Sequence, residues 1–216
     1  MLLNPARLLI LCAALLASCG HMAKLRPTPR SQVTVELELG GPFAKVGSAV
    51  IPLPLTTIGA SYGVADHVDV SAHLHPTAAV FGIAGLDLGG AWQPLLQNGA
   101  VPAVTLAGRL YGFTDFKSGF QPYLELGATG SYRLASRASP YLNVTTLVQT
   151  NAVPLLAVGA GVEVELGRVA LQAEFRWFSP NRNTYFNAVE WQSIGGLGAV
   201  GALLGIRYTF GEPVMP

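Results

Sequence analysis

Charged residues are scarce in this 216-residue chain. They make up 12% of it, against about 25% in ordinary soluble domains, while 50% of the residues are hydrophobic. Lysine, which a soluble protein spreads over its wetted surface, occurs only as Lys24, Lys45 and Lys117. The only cysteines are Cys12 and Cys19, so removal of residues 1–18 makes an internal disulfide impossible. Beyond the N-terminal leader no run of 18 or more apolar residues is present, which argues against a helical membrane span. Net charge is +1 and falls to zero when Arg7 is lost with the leader, leaving no electrostatic footprint for nucleic acid. High hydrophobicity without a helical span leaves two classes: a transmembrane β-barrel or an unusually apolar soluble β protein.

The leader is a processing signal. Arg7 supplies a positive start, Leu8 to Leu16 are unbroken apolar residues, and Leu16-Ala17-Ser18-Cys19 ends the segment. The apolar run is too short to span a bilayer, which takes about 20 residues in a helix. The terminal tetrapeptide resembles the lipobox of bacterial lipoproteins. That resemblance implies cleavage before Cys19, a diacylglycerol on its sulfur, and a fatty acid such as palmitate on the new amino terminus. It also implies handling by the lipoprotein-sorting machinery of a Gram-negative bacterium and residence in outer-membrane lipid. Residues 19–31 lack periodicity and carry Pro27 and Pro29, which reads as a lipidated tether.

From Gln32 onward the chain alternates with period 2. Val33, Val35, Leu37 and Leu39 alternate with polar residues, as do Val68 to Leu74, Leu124 to Tyr132, Val169 to Trp177 and Leu204 to Phe210. Less regular stretches near 54–64, 79–92, 101–114, 141–149 and 153–166 bring the expected count to about ten strands, with 141–149 the weakest. No helical period persists. Two-residue joints at Ala65-Asp66 and Gly167-Arg168 contrast with longer connections at 40–53 and 179–196, the layout of outer-membrane barrels. The expected fold is all-β: one antiparallel up-and-down transmembrane barrel of 8–10 strands over residues 32–211, with 212–216 as a tail.

Alternation alone does not distinguish a membrane barrel from a soluble one with its faces reversed. Small residues on the polar face (Gly59, Ser61, Gly89, Ala107, Gly127, Ser131, Gly161) suit a narrow lumen. Aromatics near strand ends (Tyr62, Trp92, Phe113, Phe120, Trp177, Phe178, Tyr208, Phe210) suit a headgroup girdle. Gly205, Tyr208 and Phe210 resemble the closing-strand signal by which outer-membrane barrels engage the barrel-assembly machinery, although Leu203 stands where that signal has a polar residue. Residues 154–210 are similar in pattern to the last strands of OmpA-like small barrels. The resemblance implies an outer-membrane barrel and says little about activity.

In that orientation Glu36, Glu38, Asp69, Asp87, Glu125, Glu163, Glu165 and Glu174 face the lumen with Arg109, Arg133, Arg176 and Arg207, because an arginine against lipid costs about 2–4 kcal/mol at the midplane. Acids outnumber arginines, so the expected lumen is partly wet or holds protonated acids.

Chemistry-bearing motifs are few. His73 and His75 share a face and could ligate a metal, with a third ligand from His67, Asp69 or a neighbouring acid; without a further His or Cys cluster no metal site is expected. Asp69, Ser71 and His73 have the residue types of a hydrolase triad but lie in a row, without a Gly-x-Ser-x-Gly elbow, so no catalytic residue and no cofactor are expected. The expected function is structural or surface-interacting, carried by loops 40–53 and 179–196, the second holding Tyr185, Phe186 and Trp191. The alternatives are an outer-membrane enzyme acting on lipid and a lipid-tethered soluble barrel binding an apolar ligand.

Overall fold

A computed structural model describes residues 21–46, 48–117, 119–134, 137–149, 152–183 and 190–211. Cys19, Tyr185, Phe186 and the tail 212–216 lie outside the described residues. The strands are β1 (Val33–Val46), β2 (Ala49–Pro52), β3 (Leu55–Ala65), β4 (Val68–Leu74), β5 (Ala84–Leu95), β6 (Ala103–Thr114), β7 (Phe120–Ser131), β8 (Ala138–Val148), β9 (Leu155–Leu166), β10 (Val169–Asn183) and β11 (Leu197–Phe210). One short helix, α1 (Pro76–Val80), sits between β4 and β5. No helix among the described residues is long and apolar enough to cross a membrane.

β1 pairs antiparallel with β3, each strand from β3 to β10 pairs antiparallel with the next, and β11 returns to β1 from Val33↔Phe210 through Pro42↔Gly201. β2 pairs only with the outer end of β1, from Phe43↔Pro52 to Val46↔Ala49, so ten strands form the closed wall. Closure leaves the ten-strand wall without an unpaired edge, the condition for a sheet to stand in lipid. The stretch expected to be a loop at 40–53 is therefore mostly a strand extension and hairpin. The weakest expected strand is regular: β8 pairs with β7 over Leu124↔Val148 to Ser131↔Tyr141.

The faces have the membrane order. Val33, Val35, Leu37, Leu39, Leu106, Leu110, Leu142, Leu171, Leu204 and Ile206 are exposed on the outside, while the alternate positions are buried within. The soluble barrel with an apolar cavity requires the reverse and is overturned. Tyr62, Trp92, Phe120 and Phe210 lie outward as girdle residues should, but Phe113 and Phe178 point inward and are buried. Both join apolar clusters inside the lumen: Phe113 with Ile83, Tyr111, Tyr123, Leu147 and Leu155, and Phe178 with Met22, Leu55 and Leu203.

Two rims differ in construction. The chain-end rim carries the start of β1, the end of β11 and the tight β3–β4 and β9–β10 turns; His67 takes φ 64° and Gly167 φ 69° at those turns. The loop rim carries the β1–β2 hairpin, α1 and the connection from β10 to β11.

Candidate functional site: the filled lumen

Residues 21–30, read from sequence as part of a lipidated tether, run inside the barrel. His21, Met22, Ala23, Lys24, Leu25 and Thr28 are all buried. At the chain-end rim the backbone turns back on itself: Gln32 N–H donates to Pro29 O (3.0 Å), Ser31 N–H donates to Gly63 O (2.8 Å), and Ser31 takes φ 60°. From there β1 climbs the wall while the preceding residues occupy the axis, with His21 innermost from the turn.

An extended chain inside a barrel has no ladder to join, so each buried backbone group needs a side-chain partner. The lumen supplies them. Ala23 N–H donates to Glu174 (3.0 Å) and Thr28 N–H to Asp69 (2.7 Å). Gln172 Nε2 donates to Ala23 O (2.8 Å), and Thr105 Oγ1 to Leu25 O (2.6 Å). Prolines 27 and 29 suit this path because they have no N–H to satisfy.

The segment also supplies the missing positive charge. Lys24 Nζ lies 2.7 Å from Glu36 and 3.1 Å from Asp69, with all three side chains almost wholly buried. Arg26 pairs with Glu163 (2.5 Å) and with Glu165. His21 contacts Glu38 (3.0 Å) and Asp87 (2.9 Å). Of the expected lumen arginines, Arg109 holds Glu125 (2.8 Å), Arg176 holds Glu174 (2.5 Å), and Arg207 holds Glu163. Arg133 is a correction: its side chain is half exposed at the chain-end rim, where it meets Glu165 (2.7 Å) outside the lumen proper. Lys24 and Arg26 reduce the acid excess expected from the strand residues alone. Composition missed this because the compensating cations sit in a segment with no strand period.

Glycines on the wall make the space. A Cβ at Gly205 would stand 2.6 Å from Met22 Sδ, and one at Gly63 2.1 Å from Pro29 O. Gly205 therefore has a packing role besides any part in a closing-strand signal. Tyr208 and Phe210 meet edge to face on the outer wall, with ring centroids 4.7 Å apart.

Three of the chain's four histidines converge on one carboxylate. Asp87 Oδ2 is 2.9 Å from both His21 Nε2 and His75 Nε2, and Asp87 Oδ1 is 3.0 Å from His73 Nδ1. His73 Nε2 reaches Glu36 at 3.2 Å. His73 is thus held by Asp87 and Glu36, while Asp69 accepts from the backbone N–H of Thr28 and of Ala91, so Asp69, Ser71 and His73 do not assemble as a triad. His67 sits at the β3–β4 turn, away from this cluster.

At the loop rim, Trp191 is partly buried against the β1–β2 hairpin. It bridges to Ala44, and Lys45 N–H donates to Glu190 O (2.8 Å).

A closed ladder, an apolar exterior and a charged, filled interior define a β-barrel of outer-membrane type. No protein-family model matches the chain, and no curated protein matches it. Among solved structures it is similar to the translocator domain of the autotransporter NalP from Neisseria meningitidis, at 11% identity and TM-score 0.43, over 95% of this chain and 94% of that one. It is also similar to a de novo designed transmembrane β-barrel, at 14% identity and TM-score 0.36, over 86% and 99%. An anion-selective porin from Comamonas acidovorans matches at 15% identity and TM-score 0.36, over 72% of this chain and 49% of that one.

Proposed function

We propose that this protein is an outer-membrane lipoprotein whose barrel is closed by its own N-terminal segment, with a structural or surface-interaction role borne by the loop rim. The observation that carries this reading is the match between segment and wall: Lys24 against Glu36 and Asp69, Arg26 against Glu163 and Glu165, and backbone groups of Ala23, Leu25 and Thr28 against wall side chains. A lumen so filled does not serve general diffusion.

The segment's first described residue, His21, contacts His75, just past the loop-side end of β4, through rings 5.4 Å apart. Gly205, Tyr208 and Phe210 present the closing strand to the assembly machinery near the chain-end rim.

The test is conductance in planar bilayers. The intact mature protein should be nearly silent. A variant lacking residues 21–31 should open a cation-selective path, because the acids of the wall then outnumber Arg109, Arg176 and Arg207. Equal conductance with and without the segment would overturn the closed-barrel reading.

A further inference from the structure

We infer that the lumen holds a site for one divalent transition-metal ion, zinc by its donor set, built from His21, His75 and Asp87. The inference rests on the seated N-terminal segment, since His21 belongs to it and the other two ligands belong to the wall. One donor atom from each residue lies within 4.8 Å of the other two, and all three residues are buried. An ion bound at 2.0–2.1 Å in tetrahedral geometry sets its donors about 3.3 Å apart. The two imidazole-to-carboxylate distances of 2.9 Å are therefore already close to those of a coordination shell.

The surroundings are those of a metal site as much as of an ion pair. The other ring nitrogen of His21, Nδ1, lies 3.0 Å from Glu38 Oε2, an ionic contact outside hydrogen-bond geometry. Once the ring turns its Nδ1–H onto that carboxylate, the acid fixes the imidazole's orientation and raises its basicity. Asp87 is held on its second oxygen by His73 Nδ1 at 3.0 Å, and His73 in turn by Glu36 at 3.2 Å. Tyr111 flanks both proposed imidazole ligands, with its ring 5.8 Å from each. Two imidazoles and one carboxylate favour zinc over magnesium or calcium, which take oxygen donors. Binding displaces whatever protons His21 and His75 share with Asp87 into solvent and leaves a fourth position for water. The ion joins the segment to β4 and β5, so it fastens the plug.

The absence of a metal site was expected from sequence because His73 and His75 lacked a partner cluster. His21 lies more than fifty residues away in a stretch without periodicity, and only the threading brings it to them.

The experiment uses the folded mature protein in detergent, stripped with chelator, loaded with zinc chloride, dialysed and measured for metal. One zinc per chain is expected. His75→Ala and Asp87→Asn should each lose it, Glu38→Gln should weaken binding by about 10- to 100-fold, and His67→Ala at the turn should match wild type. Folding of each variant is checked by heat-modifiable gel mobility. Cobalt(II) in the wild-type protein gives an independent readout: intense d–d bands of a low-coordinate nitrogen and oxygen site are expected. Less than 0.1 zinc per wild-type chain, no cobalt bands, or full binding by folded His75→Ala overturns the inference. Seating is tested separately by Thr28→Cys with Ser61→Cys in a Cys19→Ser background, whose parent hydroxyls are 2.6 Å apart. A disulfide without zinc binding sinks the metal site alone. No disulfide sinks the threading on which it stands.

Discussion

The two faces of the same ten strands are held by different physics. Outside, Leu37, Leu106, Leu142 and Leu204 each meet lipid independently, and one can be exchanged for another apolar residue at little cost. Inside, Glu163 is shared between Arg26 and Arg207, and Glu36 between Lys24, Ser61 and His73, so a change to one member disturbs its partners. The outer face is additive and local. The inner face is a network whose completion depends on residues 21–30, a different part of the chain from the strands that form its wall. A barrel can therefore have an exterior dictated by strand period and an interior dictated by a passing segment.

The largest effect expected to separate the two faces is at Lys24. Replacing it with methionine keeps most of the stem and removes the charge, leaving Glu36 and Asp69 buried without it. Breaking a buried pair in this way costs about 3–5 kcal/mol. Urea unfolding in detergent or lipid should show a loss of that order, and adding Glu36→Gln and Asp69→Asn should restore much of it. A Lys24→Met protein as stable as wild type would mean that the segment does not rest in the lumen.

Next comes the outer face. Leu204 pairs with Leu39 on β1 and Ala173 on β10, in the middle of the closing strand, and it is exposed to lipid. Leu204→Arg places a guanidinium in hydrocarbon and should cost about 2–4 kcal/mol, less where it snorkels to headgroups. The same substitution should be mild in short-chain detergent, where water reaches the belt more readily. Equal losses in detergent and bilayer would mean that Leu204 does not face acyl chains.

The two faces were legible in the sequence because β geometry projects directly onto alternation: Val33 to Leu39 and Leu204 to Phe210 declare the strand and the split between its faces, while small residues on the polar face pointed to which one lines the lumen. The strand at 141–149 was harder because its inward residues, Asn143 and Thr145, also suit a loop. Strand-end aromatics favour a girdle, the position expected of Phe113 and Phe178, whereas both close the lumen beside Leu147 and Met22 respectively. The plug could not be read at all from pattern. Its signals were indirect: an acid-rich inner face, the basic residues Lys24, Arg26 and Arg30 just before the first strand, and glycines at 63 and 205 with no turn to explain them. Each makes sense only after the segment is seated.

The smallest effect belongs at the loop rim, where neither rule applies with full force. Lys45 Nζ meets Glu190 Oε1 at 2.6 Å, but the lysine side chain is 39% exposed and the glutamate 70%. Water and salt screen such a pair, which is worth about 0–1 kcal/mol. The contact between the hairpin and residues 190–192 has a second support that charge removal leaves intact, the backbone bonds Lys45 N–H to Glu190 O and Gln192 N–H to Phe43 O. Lys45→Ala should therefore change unfolding by less than about 1 kcal/mol, and that change should vanish at high salt, whereas the loss from Lys24→Met should persist because its partners are shielded from solvent. Measuring both variants across a salt series places them on one axis. If Lys24→Met proved as salt-sensitive as Lys45→Ala, the Lys24 pair would be in contact with bulk water, and the plug would not be sealing the barrel.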